Sequence, residues 1–347
     1  MLETMIWDGH KLQLLDQRVL PHRHEYIDYK QASDLAIAIK DMVVRGAPAI
    51  SVAAAFGCVL AGRAAQKNYQ PGTGAQWLSS MKNDFELLRN SRPTAVNLFW
   101  AIGQAEKIAA NGGLDVPEKL ENWASMLFKQ DIEINKKMGE LGASLLTENS
   151  IIYTHCNAGA LATCGYGTAL GVIRSGHTKG LVKHVYIDET RPWMQGSRLT
   201  AYELQQENIP CSLVIEGAAG HMMATNKVDW VIVGADRVAA NGDVVNKIGT
   251  YNLAVLAKYH EVKFMVVAPS STIDMSLANG GLIPIETRAS SEVCDWQGAA
   301  ISPDGVHAEN PAFDMTPAEL VGALVTEKGL IIKPNKKKLA SLFRLEV

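Results

Sequence analysis

The sequence predicts an α/β protein in two parts: a small, mainly helical N-terminal domain (residues 1–130) and a larger α/β domain on a mostly parallel sheet (131–347). Three observations carry this. A chain of 347 residues with 47% hydrophobic content exceeds the roughly 250–300 residues at which single cores stop growing. From residue 31 the apolar positions recur with a helical period up to the region of residue 130. After Asn149 the texture changes to short β-rich runs separated by helical stretches, the pattern of a parallel sheet covered by helices on both faces.

Residues 1–30 alternate weakly between polar and apolar (KLQLLDQRVL, then HEYIDYK), which predicts a short antiparallel piece at the front. QASDLAIAIKDMVV, APAISVAAAFGCVLAGRAAQ, PTAVNLFWAIGQAEKIAA and VPEKLENWASMLFKQDIEINKKMGELGASLL then read as helices, punctuated by YQPGTGA and NGGLDV. The last of them links the helical domain to the α/β domain. There SIIYTH, HVYIDE, CSLVIEG, DWVIVGA, KFMVVAP and GLIIK are the strands. Open sheets of this kind bind ligands at the carboxyl ends of their strands. Cys156, Glu189 with Arg191, and Asp236 all fall just past such ends.

The charge balance narrows the function classes. Lys+Arg is 33 against Asp+Glu 36, for a formal net charge of -3, and the only basic block is the short KPNKKK near the C-terminus. That argues against a general nucleic-acid or membrane surface. The five cysteines are odd in number, show no CxxC spacing and sit mostly in apolar runs, so a reducing cytoplasm is the expected setting. The N-terminus has no cationic flank followed by an apolar core, and no run is expected to reach the ~18 apolar residues of a membrane span.

RGAPAI (45–50) and SRPTAVN (91–97) share one device, an arginine just before a helix whose first turn is marked by a proline, Pro48 or Pro93. Exposed N–H groups of a helix start attract anions, and an adjacent guanidinium reinforces them. Together the two suggest a phosphate clamp; either alone is also an ordinary helix start beside a solvated arginine. In NKIGTYNLA, Asn246 and Lys247 are expected at a third helix N-terminus, where lysine is the wrong charge for dipole complementarity and so points to a ligand.

THCNAGALATCGYGTALG should follow a strand and lead into a small-residue helix, with Cys156 at or just before its N-terminus, where a thiol pKa is lowered; a buried inert thiol is the plainer alternative. GYGTALG nearly fits G-x-G-x-x-G, but its glycines come about ten residues after the strand and are expected inside a helix, which argues against a dinucleotide site. PHRH is a lone HxH and His155 with Cys156 lacks further spaced ligands, so no metal site is expected and the histidines read as solvated. Asp236 ends the apolar run VIVGA. A carboxylate placed there loses hydration and suits proton donation and acceptance near neutrality, against a cap or ion pair with Arg237.

In RGAPAI, SRPTAVNL, THCNAGALAT, ETRPWMQGSRLTAYEL, GADRVAANGDVVNKIGTYNLA, APSSTID and NPAFDMTPAELV, in order along nearly the whole chain, the sequence resembles the methylthioribose-1-phosphate isomerases. These are relatives of the regulatory subunits of the translation initiation exchange factor. The resemblance implies a Rossmann-like C-terminal domain and a homodimer. It implies that Cys156 and Asp236 are the catalytic pair and that Arg45, Gly46, Ala47, Arg92, Gln195, Asn246 and Lys247 bind a sugar phosphate, without metal or cofactor. One departure is IPIETR (283–288), where an acid is expected at Thr287. The implied reaction turns 5-methylthioribose 1-phosphate into 5-methylthioribulose 1-phosphate. Asp236 would assist ring opening, and Cys156 would either move a proton between C2 and C1 or stabilise charge in a hydride shift. A ribose-1,5-bisphosphate isomerase and a non-catalytic regulatory subunit are the alternatives.

Overall fold

A computed structural model describes residues 2–67, 74–92, 96–296 and 298–344. The chain divides into two compact units, residues 1–133 with 159–167, and residues 134–158 with 168–347. The short segment 159–167, which sequence pattern alone assigns to the second part, packs with the first.

The first unit begins with an antiparallel sheet of β1 (Met5–Trp7), β2 (Leu12–Leu15) and β3 (Tyr26–Tyr29). Helices α1 (Ala32–Lys40), α2 (Ala47–Gln66), α3 (Gly74–Asn90), α4 (Val96–Ala110) and α5 (Val116–Ala143) come next, and the division between the units falls inside α5. The α3 segment, QWLSSMKNDFELLRN, went unread in the sequence. α2 is apolar on all sides because it is the centre of this core, with Val52, Phe56 and Val59 packed among Leu35, Trp77, Phe85, Leu88 and Leu98. Contrary to the sequence expectation, its 20 residues are long and apolar enough to cross a membrane; 78% of the apolar window is buried within the protein, as in the core helix of a globular domain.

The second unit holds, in chain order, β4 (Ser150–Thr154), α6 (Ala169–Thr178), β5 (Val182–Asp188), α7 (Ala201–Gln206), β6 (Cys211–Val214), α8 (Ala219–Thr225), β7 (Trp230–Val233), β8 (Arg237–Ala239), β9 (Val244–Lys247) and α9 (Thr250–Tyr259). It continues with β10 (Lys263–Val267), β11 (Ile273–Asp274), α10 (Ser291–Cys294), β12 (Asp295–Trp296), β13 (Ala299–Ala300), β14 (Phe313–Thr316), β15 (Ala323–Thr326), β16 (Gly329–Ile332) and α11 (Lys336–Arg344). The main sheet has the order β16-β15-β10-β7-β4-β5-β6. All its pairs are parallel except β15 with β16.

Alternation along the strands explains why helices cover both faces. Tyr153, Val231, Val233 and Val266 pack with Met223, Leu253, Ala257 and Leu339 of α8, α9 and α11. Their strand neighbours Ile152, Ile232, Met265 and Val267 pack on the other side with Met138, Leu170, Ile173 and Leu204 of α5, α6 and α7. A second sheet, β11-β8-β9-β14, stands beyond the carboxyl end of β7.

Candidate active site

Strand order locates the site. From β4 the chain builds outward through β5 and β6, then crosses back and builds the other way through β7, β10 and β15. The order reverses between β4 and β7, which lie side by side with Thr154 against Ile232, and a crevice opens at the carboxyl ends of strands around such a reversal. Cys156 stands two residues past β4 and Asp236 three residues past β7.

Cys156 is buried and its backbone is left-handed, with φ of 59°. Its N–H donates to Thr190 Oγ1 at 2.8 Å and its carbonyl accepts from Thr200 Oγ1 at 2.6 Å. Thr190, fully buried, also has φ of 63° and donates onward to Asp188 O. A β-branched residue in that region is strained, and such strain persists where the surroundings over-determine it. The helix expected after Cys156 is corrected here. Only a short 3₁₀ turn, Ala160–Ala162, intervenes before α6 begins at Ala169, so the thiol owes nothing to a helix N-terminus. Gly165 and Gly167 also lie outside a helix, both with positive φ.

Asp236 corrects a second expectation. Its backbone is fixed by an N–H to Val245 O bond of 2.9 Å, but its side chain is exposed, so the chain itself does not dehydrate it. Arg237 pairs with Asp274 at 3.8 Å.

Gln195 precedes a π-helical turn, Gly196–Thr200, a distortion frequent at functional sites. Gln195 is 9% exposed, and its Oε1 has no hydrogen-bond partner among the described residues. Gly196 brings the backbone so close to the end of β5 that an added Cβ would lie 1.6 Å from Asp188 O.

Asn246 and Lys247 end β9 rather than opening a helix. The Asn246 side chain donates to Thr250 Oγ1 at 2.9 Å. Lys247 Nζ donates to Ala312 O at 2.9 Å and sits 4.5 Å from the Phe313 ring centre. α9 starts at Thr250, and its first N–H groups are taken by the carboxylate of Asp314, from Gly249 at 2.7 Å and Tyr251 at 3.0 Å. The third helix-start anion site is thus filled from within. Burial holds the Asp314 carboxyl above its ordinary range.

Arg45, Gly46, Ala47 and Arg92 belong to the first unit. Gly46, with φ of 94°, is the residue from which α2 springs, with Pro48 in its first turn, as expected. Arg92 lies four residues before α4; the expected role of Pro93 falls outside the described residues.

Sequence reasoning missed the polar floor of the site. His155, read as solvated, is buried at 1% exposure, with Nδ1 2.9 Å from Asp188 Oδ2 and Nε2 2.8 Å from Ile248 O. Asp188 also accepts from the Tyr153 hydroxyl. On the other side, Asn157 donates to Thr200 Oγ1 and to Glu203, which pairs with buried Arg174 at 2.7 Å. An acid ending an apolar strand was a visible signal at Asp188 as at Asp236. His22 and His24 are exposed. Among the described residues no three His, Cys, Asp or Glu side chains converge as metal ligands.

The sequence matches the initiation factor 2 subunit family over residues 43–333. The methylthioribose-1-phosphate isomerase of Thioalkalivibrio sulfidiphilus (strain HL-EbGR7) is 52% identical over 343 residues, covering 99% of this chain and 97% of that one. The crystal structure of 5-methylthioribose 1-phosphate isomerase from Pyrococcus horikoshii OT3 matches with a TM-score of 0.92 and 41% identity, over 99% of this chain and 96% of that one. That of the translation initiation factor eIF-2B subunit delta from A. fulgidus matches with 0.87 and 41%, over 98% and 100%. A helical N-terminal region, a Rossmann-like sheet and full-length identity agree: the chain belongs to the initiation factor 2 subunit family, among its methylthioribose-1-phosphate isomerases.

Proposed function

We propose that this chain converts 5-methylthioribose 1-phosphate to 5-methylthioribulose 1-phosphate, an aldose-to-ketose isomerisation of methionine salvage, with no metal or cofactor. The carrying observation is that Cys156 and Asp236 end adjacent parallel strands on the two sides of the strand-order reversal. The chain in which they do so is 52% identical to an isomerase of that name.

Phosphate on the anomeric oxygen prevents the simple ring opening of a free sugar. Asp236 protonates the ring oxygen as its bond to C1 breaks. Cys156, as thiolate, takes the proton from C2 and returns it to C1, and the C2 hydroxyl proton passes to the Asp236 carboxylate, restoring both groups. Because Asp236 is exposed in the chain alone, bound substrate supplies the dehydration that favours its protonated form.

Gln195, Asn246, Lys247, Arg45, Gly46, Ala47 and Arg92 are the binding residues in this reading, and the guanidinium groups suit a phosphate. A cytoplasmic setting fits five cysteines that are all free thiols. A homodimer is what the resemblance implies, and sedimentation of the full chain tests it.

Product analysis with two sugar phosphates tests the function. Turnover of the methylthio sugar should far exceed that of ribose 1,5-bisphosphate in kcat/KM. Preference for the bisphosphate replaces the substrate, and turnover of neither leaves the regulatory-subunit reading. Deuterium at C1 of product formed in D₂O shows proton transfer with exchange at Cys156; complete retention of the C2 hydrogen there fits both an unexchanged return by the thiol and a hydride shift.

A further inference from the structure

His155 is the residue before Cys156 and has no part in the chemistry above. Its two ring nitrogens face two acceptors, the Asp188 carboxylate at 2.9 Å and the Ile248 carbonyl at 2.8 Å. A neutral imidazole has one N–H, and would turn a lone pair toward one of these oxygens in a buried place where unmade hydrogen bonds are costly. Facing a carboxylate on one side and a carbonyl on the other, only the doubly protonated ring donates to both.

The groups around it accommodate the charge. Asp188 is fully buried and accepts from Tyr153 as well; Glu216 and Asp314 are the other carboxylates whose charge reaches the ring. Burial works against the cation, but the hydrogen bond and charge of Asp188 outweigh it and hold the His155 pKa above the ordinary value.

The two ends of this link belong to different sheets. His155 comes directly after β4 of the main sheet, whereas Ile248 comes directly after β9 of the four-stranded sheet. Each end is pinned in its own neighbourhood, Cys156 by Thr190 and Thr200, Ile248 and Gly249 by N–H bonds to Ala312 O and Asp314. The imidazole joins them directly. Gly249 makes room for it: φ is 102°, and an added Cβ would lie 2.8 Å from His155 Cε1 and 2.5 Å from Glu216 Oε1.

We propose that His155, doubly protonated, is a positioning residue, a tie that fixes the Cys156 turn against the Lys247–Gly249 turn so that the proton-transfer group and the substrate anchor keep one spacing. This rests on the isomerase reading. Misplacing reacting groups by about 1 Å costs on the order of 10²-fold in rate, so the loss should appear in kcat while KM holds.

The test compares the full-length parent with His155→Phe and Asp188→Asn. Asparagine at 188 can accept from Tyr153 and donate to Nδ1, leaving a neutral ring that still donates from Nε2 to Ile248, so it discharges the tie without cutting it. With 15N-labelled histidine, the parent should show both His155 nitrogens protonated at pH 7 to 8, and Asp188→Asn only Nε2. His155→Phe should lower kcat on the methylthio sugar phosphate by about 10- to 100-fold with KM within about threefold, measured well below its melting temperature. Asp188→Asn should lose no more than about threefold. The amide signals of Lys247 to Thr250 should shift in His155→Phe and stay in place in Asp188→Asn.

A neutral His155 in the parent overturns the protonation state. Full kcat in folded His155→Phe, or an equal collapse in Asp188→Asn, overturns the tie. If the parent turns over no sugar phosphate, the isomerase reading has failed, and the nitrogen and amide signals still decide whether the charged link exists.

Discussion

Cys156 and Asp236 end neighbouring strands of one sheet, yet the chain builds the two ends in opposite ways. Around Cys156 everything is buried: left-handed backbone at 156 and 190, hydroxyls of Thr190 and Thr200 on its N–H and carbonyl, and ion pairs on either flank. Asp236 is exposed, its backbone held by an N–H bond to Val245 O. One end is preorganised by the fold; the other is completed by the molecule it binds. Substitutions at Asp236 should therefore cost chemistry without stability, and substitutions that remove packing or hydrogen bonds beneath Cys156 should cost both.

The largest expected effect is Asp236→Asn. Size and much of the hydrogen bonding remain, but the titrating proton is gone. Turnover should fall by about 10⁴-fold, the top of the range for general acid-base groups, with a nearly unchanged dissociation constant and melting temperature. A melting temperature several degrees lower with normal turnover of the folded fraction would erase the contrast.

At the buried end, Gly196→Ala drives a methyl into Asp188 O, a backbone atom that no side-chain rotation can move away. About 3 kcal/mol of stability should be lost, the upper range for overpacking, measured by denaturant unfolding. Thr190→Val keeps the shape but removes the hydroxyl that bonds to Cys156 N–H and to Asp188 O. It should cost about 1–3 kcal/mol and lower kcat as well. Loss of stability with kcat untouched would mean that the strained turn serves folding alone.

How much of the fold and the site was legible depends on the length of the signal. The strands of the main sheet are runs such as DWVIVGA and KFMVVAP, and the places of Cys156 and Asp236 just past strand ends were legible from them. ALVT at β15 was missed between longer runs. The four-stranded sheet was also missed, because RVA, VVNK and FDMT are short, partly polar strands that give no clear period. That is why Asn246 and Lys247 were expected on a helix. Asp314 lies 65 residues from Gly249, and no local pattern announces a cap supplied from so far away. His155 was misread for the same reason: whether a histidine is solvated depends on partners at 188 and 248, which only the topology brings to it.

The smallest effect is a slope of stability with pH, and it belongs to the buried end. For His155, burial lowers the pKa but Asp188 raises it more, for a net rise. The folded state therefore holds a proton that the unfolded chain releases from about pH 6.5 upward. Below that value the stabilisation is fully present; it declines as pH rises toward the raised folded pKa, by at most about 1.4 kcal/mol per pH unit for one proton. Glu216 and Asp314, raised chiefly by burial, act with the same sign but start from the lower carboxyl range near pH 4. Unfolding free energies measured from pH 6 to 9 should thus fall with pH in the parent. In Asp188→Asn burial is opposed only by the charge of Glu216 and Asp314 and the bond to Ile248 O, and the decline above pH 6.5 should flatten. A curve for Asp188→Asn parallel to that of the parent would show that the buried end carries no such proton.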